Sequence, residues 1–123
     1  MVTLWPNEYG QRVVDAVGGN GMTWNIGKSV FLSVLAYPAM APYDGGWQEY
    51  CSGDTRPYGA GQIDLRCYFT GGASGAAWLK DYNGNVGYSN GVMSTLDPGT
   101  GWNQSPYFDD KARQIFEDQG NVT

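Results

Sequence analysis

Turn-forming clusters recur through the chain at short intervals: Gly18-Gly19-Asn20-Gly21, Asp44-Gly45-Gly46, Gly71-Gly72, Asn83-Gly84, Asn90-Gly91 and Asp97-Pro98-Gly99. Glycine reaches positive φ without a steric penalty, and Asn or Asp closes local side-chain turns, so each cluster interrupts regular structure. The short apolar runs left between them give the pattern of an all-β domain. Eight runs read as strands, residues 2–5, 12–17, 29–36, 47–51, 63–69, 76–80, 86–88 and 92–96. Ile26, Val30, Phe31, Val34 and Leu35 also fit a helical stripe, but the β-branched and aromatic content of that run favours a buried strand. The helix expected is at residues 106–119, where Ser105 can cap, Pro106 takes the first helical position and Gly120 follows as a stop. The expected architecture is therefore mainly β: a single domain over residues 1–123, a β-sandwich or Greek-key barrel of short strands with one short C-terminal helix.

Charge removes several functions. Twelve acidic residues against seven basic leave a net charge of -5, and the basic residues are scattered, so no phosphate-neutralising patch for nucleic acid exists. There is no histidine, which removes imidazole general-base catalysis, Ser/His/Asp and Cys/His systems, and zinc sites that need an imidazole. The longest apolar run, residues 30–40, contains Ser33 and Pro38 and falls short of the ~18 apolar residues of a membrane span. The opening Met-Val-Thr-Leu-Trp-Pro shows no basic-then-apolar leader, so no signal peptide is expected in it. Cys51 and Cys67 lie sixteen positions apart across a Gly- and Pro-rich segment that can close into a disulfide loop; two buried free thiols are the alternative. A bridge there contributes roughly 3 kcal/mol through loss of chain entropy in the unfolded state. Low charge and many aromatics favour the bridge and an extracellular or virion setting.

Three constellations can be weighed for chemistry. Glu49 lies between Trp47 and Tyr50, with Asp44 and Asp54 close in sequence, and a pair of carboxylates in unlike environments is what glycoside hydrolysis requires. A turn at Asp44-Gly45-Gly46 with Glu49 as an exposed strand residue explains the same stretch. Asp81, Asn83 and Asn85 alternate like the first half of a calcium loop, but no closing Glu follows, and an Asn-Gly hairpin explains the run equally. The aromatics are too many for a core of this size to hide, and Trp47, Tyr50, Tyr58, Trp78, Tyr82 and Trp102 are the candidates for an exposed binding surface.

Two stretches resemble a known family. Val2-Thr3-Leu4-Trp5-Pro6-Asn7-Glu8-Tyr9-Gly10-Gln11-Arg12 resembles the opening strand and aromatic-x-Gly corner of a βγ-crystallin-type Greek key. Phe108-Asp109-Asp110-Lys111-Ala112-Arg113-Gln114-Ile115 is similar to the closing segment of such motifs in microbial βγ-crystallins and related secreted proteinase inhibitors. The resemblance implies a Greek-key fold and places calcium at Asp109 and Asp110. The pattern departs at Gln11, where a turn glycine belongs, and at Arg113 and Gln114, where a hydroxyl ligand and a serine belong.

The function expected from these readings is a non-catalytic structural or interaction module, such as a capsid decoration protein. It would hold a protein or glycan partner, or further copies of itself, through aromatic and glycine-rich loops, without a cofactor, nucleic acid or membrane insertion. The alternatives are a βγ-crystallin-like calcium-binding or inhibitory protein, and a carbohydrate-active enzyme using Glu49.

Overall fold

In the structure, a computed structural model that describes residues 1–120, two sheets wrap around one core. The first sheet runs in the order β1 (Gly21–Met22), β7 (Tyr88–Val92), β6 (Ala77–Lys80), β2 (Phe31–Ala36), β3 (Glu49–Asp54). The second runs β4 (Arg56–Tyr58), β5 (Gln62–Leu65), β9 (Trp102–Pro106), β8 (Thr95–Asp97). All pairings are antiparallel except β1 with β7. Alternation on β2 sends Leu32, Val34 and Ala36 inward, where they meet Ile63 and Leu65 of β5, Trp78 of β6, Phe69, Ala73 and Met93. The mainly β fold with one C-terminal helix thus matches the expectation.

The sheets are joined where the chain crosses from one to the other, which closes the barrel at two corners. At the first, β3 passes into β4 through buried Thr55, whose N–H donates to Val30 O (2.9 Å) while its hydroxyl accepts from Val30 N (3.0 Å). At the second, Met93 and Ser94 join β7 to β8. The Cys51–Cys67 disulfide ties β3 to the segment after β5, as expected, and Trp78 fills the centre of the core.

Several elements differ from the sequence reading. Residues 2–5 form no strand, and within residues 12–17 the chain makes a helical turn, α1 (Val13–Val17). The cause is local: Asp15 accepts a hydrogen bond from Arg12 N (3.2 Å), and Gly18 ends the turn at φ 75°. Three strands, β1, β4 and β9, lie outside the expected set. Helix α2 (Asp110–Gly120) begins later than expected because Ser105 and Pro106 belong to β9. Its cap is Asp109, whose carboxylate accepts from Lys111 N (2.9 Å) and Ala112 N (3.4 Å). Among the described residues no helix is long and apolar enough to cross a membrane.

Candidate functional site

β9 is the strand whose composition hides its role. Its residues Asn103, Gln104 and Ser105 are polar and buried, and each is hydrogen-bonded, as burial demands. Asn103 Oδ1 accepts from Phe69 N (3.0 Å) and its Nδ2 donates to Phe69 O (2.8 Å), so the side chain imitates a paired strand and fixes the segment that follows Cys67. Gln104 Oε1 accepts from the Thr95 hydroxyl (2.7 Å), and Ser105 Oγ accepts from Val92 N (2.8 Å). A polar central strand therefore holds Phe69 on one side and the β7–β8 corner on the other.

Between those two anchors lies the turn Gly71-Gly72-Ala73-Ser74-Gly75. Ala39 N donates to Gly71 O (2.7 Å), Ala73 N to Thr70 O (3.3 Å) and Ala76 N to Ala73 O (3.2 Å). The corner grips the far end reciprocally: Gly75 N donates to Met93 O and Met93 N to Ala76 O, both at 2.9 Å. Ala73 points into the core, which turns its neighbours Gly72 and Ser74 outward. Gly72 sits at φ 99°, and a Cβ there would lie 2.8 Å from both Ala39 N and Ala39 Cβ, so only glycine fits. Among the described residues, neither the Gly72 N–H nor the Ser74 N–H has an acceptor, and the Ser74 hydroxyl has no partner. Ser74 also lines a cavity of about 90 Å³ whose walls include Phe69, Met93, Thr95, Leu96 and Asn103.

An exposed hydroxyl beside two N–H groups that have no acceptor in the fold is equipped to attack a carbonyl and to receive the negative charge that develops on its oxygen. No protein-family profile matches the sequence, and no curated protein does either. Solved structures do match. The chain is similar to a thermostable serine protease, AL20, from an extremophilic microorganism, with 28% identity over 94% of this chain and a TM-score of 0.80. It is also similar to the protease Anisep from Arthrobacter nicotinovorans, with 25% identity over 99% of the chain and a TM-score of 0.81. A Glu endopeptidase shares the fold at 15% identity over 90% of the chain, with a TM-score of 0.70. The structures it resembles are proteases. The chain spans little more than half the length of each, 55%, 56% and 52% respectively.

These likenesses overturn the expectation of a non-catalytic structural or assembly module, and they are to proteases rather than to crystallins. The absence of histidine had excluded a serine nucleophile only on the assumption that one chain segment carries the whole machinery. Ser74 and Gly72 were missed for that reason, although the Gly-x-Ser-Gly spacing was visible.

The residues singled out from sequence do not converge on this turn. Trp78 is not a surface residue at all but the largest fully buried side chain. Trp102 is half-buried beneath the guanidinium of Arg56, 3.6 Å from its ring centre. Arg56 in turn pairs with buried Asp64 (2.8 Å), whose carboxylate holds the guanidinium pKa above its ordinary value. Trp47 lies exposed in the loop before β3, Tyr58 ends β4, and Tyr82 follows β6. Tyr50 is exposed on β3, its phenol held below the usual pKa by hydroxyl bonds from Ser33 and Ser52. Glu49 opens β3, while Asp44 accepts from Gly46 N (2.8 Å), so the nearby acid is part of a turn. Asp81 takes Lys80 Nζ at 2.8 Å, and Asn83 Oδ1 accepts from Asn85 N and Val86 N, both at 3.0 Å, which makes the D-x-N-x-N run a hairpin turn. Asp109 caps α2 and Asp110 accepts from Asn25 Nδ2 (2.9 Å). Among the described residues no cluster of three or more His, Cys, Asp or Glu is poised to hold a metal.

Proposed function

We propose that this chain is the nucleophile-bearing barrel of a serine protease, with Ser74 attacking the peptide carbonyl and the N–H groups of Gly72 and Ser74 holding the oxyanion. One observation carries the reading: a single turn holds an unpartnered hydroxyl and two unpartnered N–H groups, with Ser74 at a cavity. In chymotrypsin-type proteases the oxyanion donors are likewise the N–H of the nucleophile and that of the residue two before it. The resemblance to AL20 and Anisep supports the same assignment.

In this reading Ser74 Oγ forms a bond to the carbonyl carbon, its proton passes to an imidazole, and the carbonyl electrons move onto oxygen between the two N–H groups. Collapse expels the amine, which takes the proton, and water later releases the acyl group. This reading calls for an imidazole from outside these 123 residues, since none of them is histidine. β8 lies at the open edge of its sheet and its residues Thr95 and Leu96 line the cavity, so a peptide can add along it as a further strand. The disulfide accords with work outside the cell.

The test supplies the missing base from solution. With p-nitrophenyl acetate and imidazole, the chain is expected to release p-nitrophenolate in a burst above the imidazole background, and Ser74→Ala to show none. A burst of the same size from Ser74→Ala would overturn the reading.

A further inference from the structure

Three asparagines are followed directly by glycine: Asn20-Gly21, Asn83-Gly84 and Asn90-Gly91. In such a pair the glycine nitrogen can attack the asparagine side-chain amide, because no Cβ shields it and the glycine backbone turns freely. The sequence makes the three pairs alike, and the fold separates them.

Asn20-Gly21 is held at both residues. Asn20 Oδ1 accepts from Gly87 N (2.9 Å), Gly21 N donates to Gly87 O (3.0 Å), and the Tyr88 ring lies so close to Gly21 that a Cβ there would clash with it. Asn90 is fully buried in β7, its amide donates to the Thr23 hydroxyl (3.0 Å), and Gly91 is paired with Trp78 of β6. Closing a ring at either place requires a strand pairing to open.

Asn83-Gly84 differs in each respect. It lies exposed in the turn between β6 and β7, and among the described residues the Gly84 N–H has no acceptor. Gly84 sits at φ 94°, and no atom lies within 4 Å of the place a Cβ would take. The Asn83 amide nitrogen has no partner among the described residues, while Oδ1 accepts from Asn85 N and Val86 N, both at 3.0 Å. Those two N–H groups draw electron density from the amide carbon and are in place for the charge that gathers on Oδ1 when that carbon is attacked.

We propose that Asn83 is a site of spontaneous deamidation, selected from the three Asn-Gly pairs by the turn that holds it. Gly84 N bonds to Asn83 Cγ and loses its proton to water, and the carbonyl electrons move onto Oδ1. Collapse re-forms the carbonyl and expels the side-chain nitrogen, which takes a proton from water and leaves as ammonia. Water then opens the five-membered imide, at one carbonyl to give aspartate and at the other to give isoaspartate, with no change of oxidation state. Either product adds a negative charge near Asp81, with which Asn83 lines a hollow that also includes Gly19, Val86 and Tyr88. Isoaspartate also lengthens the main chain of the β6–β7 turn by one carbon.

The test is to incubate the folded chain in mildly alkaline buffer and, in parallel, in denaturant, and to follow aspartate and isoaspartate at each asparagine by peptide mass spectrometry. In the folded chain the products at Asn83 are expected to form at least about tenfold faster than at Asn20 or Asn90, whose glycines must first leave a strand pairing. In denaturant the three sites are expected to react at similar rates. Product forming evenly at all three in the folded chain, or first at Asn20 or Asn90, would overturn the proposal. So would an equal lead for Asn83 in denaturant, since the preference would then belong to the sequence and not to the turn.

Discussion

Trp78 and Trp5 are the same side chain with opposite fates. Trp78, on β6, is 0% exposed, flanked by β2 and β7, and shares the core with Ile63 and Leu65 of β5, whereas Trp5 is 89% exposed and lies in no element. The contrast extends to their surroundings. Residues 21–106 place Leu32, Val34, Ile63 and Leu65 in the core, while residues 1–20 carry Val2, Leu4, Val13, Val14 and Val17 with every one exposed. Both regions are rich in the residues that prefer the inside. What separates them is pairing: in the barrel the hydrogen-bond register turns alternate residues toward a second sheet, and in the first twenty residues no second layer faces them. Apolar composition supplies the driving force for burial, but topology decides which residues receive it.

That difference can be broken or sharpened by substitution. Trp78→Ala is expected to destabilise the chain most, by about 3–5 kcal/mol, because it empties the centre of the core. Chemical denaturation should register this as a large fall in the midpoint. Replacing Cys51 and Cys67 together by Ala removes the one covalent tie between β3 and the approach to the Ser74 turn, with an expected loss of roughly 3 kcal/mol. Arg56→Ala leaves Asp64 buried without its partner; since Arg56 is itself half exposed, a loss smaller than that of the disulfide is expected, recovered in part when Asp64 is also made Asn. Trp5→Ala should change the midpoint least, within about 0.5 kcal/mol. A cost for Trp5→Ala comparable to that of Trp78→Ala would mean that residues 1–20 do bury apolar surface, and the contrast would be lost.

The same contrast explains what the sequence made legible. Most of the turn clusters located the strands of the core well, because Gly at positive φ acts locally, as at Gly45, Gly72 and Gly84: β2, β3, β5 and β6 all begin or end near expected positions, whereas Asn90-Gly91 lies buried within β7 and makes no turn. Residues 12–17 misled because their β-branched content was read without the Asp15 bond that winds α1. β9 was invisible because its burial is polar, and Asn103, Gln104 and Ser105 each have a partner nine or more residues away that the sequence does not reveal. The disulfide followed from spacing and composition. Ser74 did not: its Gly-x-Ser-Gly spacing was visible, but the absence of histidine turned the reading away from a serine nucleophile, and the N–H groups left without acceptors are a property of the folded turn.

The most direct test of the central claim is to locate, by peptide mass spectrometry, which hydroxyl of the folded chain is acylated first when an activated ester and imidazole are supplied together. The account predicts Ser74 ahead of every other serine, threonine and tyrosine, with that preference lost on unfolding. Acylation spread evenly over the surface hydroxyls, with Ser74 no faster than exposed Ser29 or Ser94, would contradict it.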